Sequence, residues 1–358
     1  MLVAQNDQQV LIYAMQYSRQ ELEQLQRDTL FYCPQCQAPV YLKLGSVITP
    51  HFAHHVASSC SSLFSEGESE AHLLGKIQLY KWFQKQGVLV MLEPHIEGLS
   101  QRPDLFVADG NNKYAIEFQC STISAKLIRK RTAGYRAARI TPIWIFKTPA
   151  FAKYNAIMQQ RVNKMYQAVS KDYLLFYCPK AQKFTYASHL YRLYNDQFIM
   201  RLSELPLAKQ HHPFYTPAPL NTKQLRYYAD CYRNGLQHLI MNCIRFTKQP
   251  QALRLRACAT VLQCAIIDFD YSIPIKLHHT LGADVVWQNE LKAYCKTQDC
   301  DFSAIDSELF LQIYGYAQTA ANLRVITFYC EHQAILKTKL LTELFAFKPT
   351  QWENKTEL

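Results

Sequence analysis

Arg102-Pro103-Asp104 and, twelve residues further on, Glu117-Phe118-Gln119 frame the most telling segment of this 358-residue chain. Between them, the short runs Pro103–Ala108 and Lys113–Cys120 flank Asp109-Gly110-Asn111-Asn112, and apolar runs around such a turn predict a β-hairpin. With the loop at Gly110-Asn111, or over all four residues, the register sets Asp104 directly across from Glu117. Side chains alternate along a strand, so Glu117 and Gln119 share one face while Ile116 and Phe118 take the other. Cross-strand partners stand about 4.5–5.5 Å apart at Cβ, and carboxylates that close repel. One compensation is a divalent cation, Mg²⁺ or Mn²⁺, which prefers hard oxygen ligands. The other is a solvated hairpin face whose acids pair with nearby Lys or Arg. If the two acids only repel, removing Glu117 leaves stability unchanged or raises it.

The flanking segments extend the pattern. Glu68–Gln86 reads as a helix with Leu73, Leu74, Ile77, Tyr80 and Phe83 on its buried side. Glu68, His72 and Lys76 follow at i, i+4 and i+8 and line one polar stripe. Val88–Glu93 reads as a buried strand, and Ser121 or Thr122 can cap a helix running to about Ala138. Pro142–Phe146 is then a strand parallel to its predecessor, because a helix intervenes. The order helix, three strands, helix, strand, with an acid on the first helix, Asp104 on one strand and Glu117-x-Gln119 on the next, resembles the PD-(D/E)XK nuclease superfamily. That resemblance implies an α/β core in which Asp104 and Glu117 hold Mg²⁺ or Mn²⁺, with Glu68 or Glu70 completing the acidic set. Gln119 stands where many superfamily members carry a lysine that positions or activates the attacking water. Lys126 or Lys130 from the next helix, or Lys76 from the first, could substitute for it.

A second cluster lies upstream. Cys33-Pro34-Gln35-Cys36, fourteen residues, then His51-Phe52-Ala53-His54, with Cys60 close behind, has zinc-ribbon spacing. Gly45 and Pro50 mark turns between expected strands Val40–Leu44 and Val47–Phe52. Cys33 and Cys36 with two of His51, His54 and Cys60 would close a structural Zn²⁺ tetrahedron. The bland alternative is two buried cysteines and two polar histidines. The twelve cysteines do not argue for disulfides, because no basic region precedes an apolar run at the N-terminus and the first arginine is Arg19. A reduced, cytoplasmic protein is expected, without a membrane span, since no apolar run reaches about 18–20 residues.

The formal charge of +11 is unevenly placed: between Glu117 and Asp172 there are eleven basic residues and no acid. Six of them, Lys126, Arg129, Lys130, Arg131, Arg136 and Arg139, fall on the helix after the expected metal-binding strand. A basic helix beside an acidic pocket suits a phosphodiester substrate, the cations binding flanking phosphates. A solvated basic face is the alternative. Upstream, a strand at Val10–Ala14 and a Ser18-Arg19-Gln20-Glu21 capping box open the chain. Beyond residue 150 the pattern turns to amphipathic helices rich in Tyr and Leu, with no chemical motif. The expected organisation is a strand–helix segment (1–30), a zinc-binding ribbon (31–62), a PD-(D/E)XK nuclease-like domain (63–150) and a mainly α-helical C-terminal region (151–358).

Phe31-Tyr32-Cys33-Pro34-x-Cys36, His51-Phe52-Ala53-His54, Glu68-Ser69-x-x-His72-x-x-x-Lys76, Arg102-Pro103-Asp104 and Ile116-Glu117-Phe118-Gln119 occur in that order. Together they resemble the CoiA competence protein family of Gram-positive bacteria, over roughly residues 1–150. The resemblance implies a role in natural transformation and homologous recombination, acting on incoming single-stranded DNA upstream of or beside the recombinase RecA or other competence proteins. Two activities fit: a metal-dependent deoxyribonuclease, or a catalytically inactive DNA-binding mediator on a nuclease scaffold. RNA binding through the same basic segment is a weaker third.

Overall fold

A computed structural model describes residues 1–45, 48–55, 69–96, 98–99, 101–151, 157–162, 164–169, 173–194, 197–212, 214, 217–269, 272–275 and 280–346. Cys60 and Glu68 lie outside these residues. The chain divides into two units: Met1–Ala156, Lys164–Ser188 and Leu202–Thr216 form the first, and Ile157–Asn163, His189–Arg201 and Pro217–Leu358 the second.

The first unit opens with a small antiparallel sheet. Its strands are β1 (Val3–Asn6), β2 (Leu11–Tyr13), β3 (Phe31–Tyr32), β4 (Pro39–Lys43) and β5 (His51–His54), in the order β2-β1-β3-β4-β5. Helix α1 (Arg19–Asp28) starts at the expected capping box, Ser18 accepting from the Glu21 amide and Glu21 from the Ser18 amide. Its Leu22 packs with Ala4, Ile12, Phe31, Val40 and Phe52. The expected strand–helix segment and ribbon therefore share one sheet and one core. β1 escaped the sequence reading because four residues, two of them polar, carry too little alternation.

The second layer follows as α2 (Glu70–Lys85), β6 (Leu89–Leu92), β7 (Leu105–Asp109), β8 (Asn112–Gln119), α3 (Ala125–Ala137) and β9 (Thr141–Lys147). This is the helix, three strands, helix, strand order anticipated above. β6, β7 and β8 are antiparallel neighbours, and β8 runs parallel to β9. The hairpin register pairs Leu105 with Ile116 and Asp109 with Asn112 around Gly110, whose φ of +56° is the left-handed backbone such a turn needs. Continued by one residue, that register sets Asp104 opposite Glu117.

The long helices expected beyond residue 150 begin only at Thr222. Before them come β10 (Ile157–Arg161), short α4 (Lys164–Gln167), β11 (Tyr173–Cys178), β12 (Lys183–Tyr194) and β13 (Gln197–Pro206). β11 pairs parallel with β9 and antiparallel with β12, so the first unit's sheet reads β12-β11-β9-β8-β7-β6. The aromatic-rich run Tyr173-Leu-Leu-Phe-Tyr-Cys178 favours a pleated, doubly covered strand over a helix. The second unit carries α5 (Thr222–Arg245), α6 (Pro250–Leu262), α7 (Asp284–Gln298), α8 (Ser307–Ile313), α9 (Ala320–Lys337) and α10 (Leu341–Ala346). No helix among the described residues is long and apolar enough to cross a membrane.

Candidate functional site

Asp104 sits immediately before β7, and its carboxylate is turned across the hairpin. Oδ2 accepts from the Phe118 amide at 2.8 Å and lies 3.3 Å from His72 Nε2, while Lys76 Nζ is 3.9 Å from Oδ1. His72 and Lys76 come from one face of α2, and Gly75 lets that face approach the sheet. A Cβ at residue 75 would lie 2.1 Å from the Phe118 ring, well inside contact distance. Lys76 is 1% exposed and its ammonium bonds Glu93, itself 3% exposed at the end of β6. Glu93 also accepts from the Leu2 amide, and Arg102 Nη2 stands 3.7 Å from its Oε2.

Glu117 is held from α3. Its Oε1 accepts from both Arg131 Nη2 and the Tyr135 hydroxyl, and all three groups are buried. Arg131 also donates to the Arg102 carbonyl at 3.1 Å and lies over the Trp144 ring at 5.6 Å. Each hairpin acid thus has its own protein cation nearby, so the like-charge repulsion is offset by buried Lys76 and Arg131 rather than by a solvated face. The two carboxyls are driven apart in acidity. Burial raises Asp104, but His72, Lys76 and Arg131 outweigh it and hold the group at about 2. Burial lifts Glu117 to about 8 against the pull of Arg131, and the Asp104 charge adds to the rise. Two carboxyls with separated acidities in one site are the arrangement from which acid and base roles are drawn.

The other expected residues fall as follows. Glu70 accepts from the Thr49 amide at 2.9 Å and its hydroxyl at 2.8 Å, so it tethers the start of α2 to the loop before β5 instead of joining Asp104. Gln119 donates to the carbonyl and hydroxyl of Ser121 at 3.0 and 2.9 Å. Lys126, Arg129, Lys130 and Arg136 are exposed along α3, and Arg139 just beyond its end. Arg131 departs from them: it is 4% exposed and belongs to the acid cluster, where it cannot meet a phosphate backbone. Glu93 and Tyr135 are not among the site residues expected from the sequence. An acid closing a buried apolar strand was the available signal for Glu93; nothing in the sequence marks Tyr135.

In the small sheet, Cys33, Cys36 and His54 converge, their ligand atoms all within 4.8 Å of one another. The Cys33–Cys36 knuckle closes with the Gln37 amide on the Cys33 carbonyl at 2.9 Å, Gln37 taking a left-handed φ of +57°. His54 pairs across from Val40 and shares the inner face with Phe52, whereas His51 pairs across from Lys43 on the alternate face. His51 Nδ1 is 2.9 Å from the Thr49 carbonyl. Two thiols and an imidazole fit a zinc ion.

Comparison with known proteins follows the same division. Residues 14–63 match the family model for the N-terminal domain of competence protein CoiA, and residues 68–215 match that for its nuclease-like domain. The second match ends one residue short of Thr216, where the first unit ends. Competence protein CoiA of Bacillus subtilis (strain 168) is 32% identical over 182 residues, covering 50% of this chain and 48% of that relative. The match thus spans about half the length of the relative. No solved structure matches the chain. With both family models in sequence order over more than half of its length, the chain belongs to the CoiA-like competence protein family.

Proposed function

We propose that the first unit is a metal-dependent DNA nuclease of the PD-(D/E)XK type, acting on single-stranded DNA during natural transformation and recombination. The observation that carries this reading is the convergence of Asp104, Glu117 and Glu93 with Lys76, His72 and Arg102 at one end of the β6–β8 sheet. The carboxylates supply the hard oxygen donors that Mg²⁺ or Mn²⁺ takes, and Asp104 remains 16% exposed at its side chain, open to approach. When bound, such an ion lowers the pKa of its water and offsets charge on the transferring phosphoryl group. Asp104, ionised throughout the neutral range, and Glu117 would hold it. Lys76 stands in for the lysine that Gln119 replaces, its ammonium fixed between Glu93 and Asp104. Arg102 Nη1 is buried without a hydrogen-bond partner among the described residues, which suits it to a phosphate oxygen of the substrate. In the ribbon, Cys33, Cys36 and His54 would hold structural Zn²⁺.

A second reading has its own support: Arg131 already occupies the Glu117 carboxylate, and Gln119 is committed to Ser121. On that reading the fold binds DNA and does not cut it. The discriminating experiment incubates the purified full chain with labelled single- and double-stranded DNA, with and without Mn²⁺ or Mg²⁺, beside Asp104→Asn. The nuclease reading expects metal-dependent cleavage of single strands that the variant loses. No cleavage of any DNA form, with binding equal in wild type and variant, establishes the mediator instead.

A further inference from the structure

A second basic surface lies on the helical unit. Residues 217–267 hold seven lysines and arginines and one acid, Asp230, a local excess that the near-neutral sum outside residues 118–171 conceals. On α5 the division of faces is sharp. Tyr228, Tyr232, Leu236, Leu239, Ile240 and Cys243 are buried, whereas Lys223, Arg226, Arg233 and Arg245 are exposed. At 3.6 residues per turn those four cations fall within an arc of about 120°, and Lys223 to Arg245 spans about 33 Å. Asp230 is spent on Arg233, 2.9 Å away. Lys248, just beyond the helix, is also exposed. Two aromatic rings accompany the charges: Tyr227, 45% exposed within the same arc, and Phe246, 46% exposed at its end. The Arg245 guanidinium lies 5.3 Å over the Phe246 ring.

A face that serves only solubility mixes charges of both signs and keeps large rings covered. Cations in a row with exposed rings between them match a polyanion that also offers flat, unstacked bases. Single strands have that chemistry; a duplex hides its bases, and an acidic polypeptide supplies none. We propose that α5 and the α5–α6 turn bind single-stranded DNA, the cations on phosphates and Tyr227 and Phe246 on bases. The choice of DNA over RNA rests on the proposed action of the first unit; the surface itself is independent of it.

The test measures binding of the full chain to a fluorescein-labelled oligothymidylate of about 30 nucleotides by anisotropy across a salt series. One variant combines Lys223→Ala, Arg226→Ala, Arg245→Ala and Lys248→Ala; a second combines Arg129→Ala, Lys130→Ala and Arg136→Ala on α3. The α5 variant is expected to bind at least about tenfold more weakly near 0.15 M salt, with a log–log salt slope flatter by about 3. Tyr227→Ala and Phe246→Ala should each weaken binding about tenfold with the slope unchanged, and circular dichroism of all variants should match wild type. Loss confined to the α3 variant overturns the proposal and leaves the first unit as the DNA surface. Loss in the α5 variant alone supports it and removes α3 from DNA binding. Tighter binding of oligouridylate, or equal displacement by polyglutamate with Tyr227→Ala inert, also overturns it in favour of RNA or an acidic protein.

Discussion

Glu117 carries a consequence opposite to the one its sequence context suggests. Two repelling acids stabilise nothing, so its removal looked harmless; in the fold its carboxyl accepts from a buried guanidinium and a buried tyrosine. Taking one partner from a buried pair leaves the other uncompensated, at a cost of about 3–5 kcal/mol. Glu117→Ala is therefore expected to lower the urea-unfolding free energy by that order, and Arg131→Met added to it to recover part of the loss. An unchanged midpoint for Glu117→Ala would show that Arg131 finds another acceptor. The hairpin register that faces Asp104 with Glu117 was legible because it depends only on turn length and alternation. Their partners were not: Arg131 lies 14 residues from Glu117, Lys76 lies 17 from Glu93, and a lone sequence gives a buried cation no mark that separates it from a solvated one.

At the scale of elements, legibility followed local chemistry. The capping box of α1, the Gly110 turn and the α2–β6–β7–β8–α3–β9 succession all rest on short-range patterns, and all are present. β10 to β13 rest on pairing between distant segments and on tyrosine-rich runs with weak alternation, so they read as helix. The ribbon is the element with the least core of its own, and β3 is only two residues long. A closed Cys/His site contributes folding free energy directly in so small a unit. Protein purified without added zinc should carry about one equivalent. Cys33→Ser or a strong chelator should remove it and lower the melting temperature. Less than about a tenth of an equivalent, with Cys33→Ser as stable as wild type, would leave Cys33, Cys36 and His54 as a metal-free cluster.

For the molecule as a whole, the helical unit has its own polar anchor and its own pH response. Asp284 on α7 accepts from Tyr191, from the Ile275 amide at 3.1 Å and from Trp287 Nε1 at 2.9 Å. Burial raises its carboxyl from 3.8 to about 6 although these donors pull the other way. The folded state then holds a proton that the unfolded state has lost, so this contribution is full below pH 3.8 and fades as pH rises through about 6. The swing is at most about 3 kcal/mol. Wild type should lose stability relative to Asp284→Asn between about pH 4.5 and pH 7, read from urea midpoints of both proteins. Parallel pH profiles would assign the slope to other groups.

The first unit is also assembled from three separate stretches of chain, and this bears on the order in which the molecule can be made. While the ribosome has released only the residues through β9, that strand (Thr141–Lys147) has one open edge, because its neighbour β11 (Tyr173–Cys178) has not yet emerged. That edge of β9 is covered only once synthesis passes residue 178, and the unit is complete at Thr216. At about 5–20 residues per second, the helical unit is still being translated for many seconds after that. The first unit can therefore finish folding while its partner is unfinished. A fragment cut near residue 150 would keep both acids and expose a bare, apolar strand edge that invites aggregation, so an isolated nuclease-like unit has to be built to Thr216.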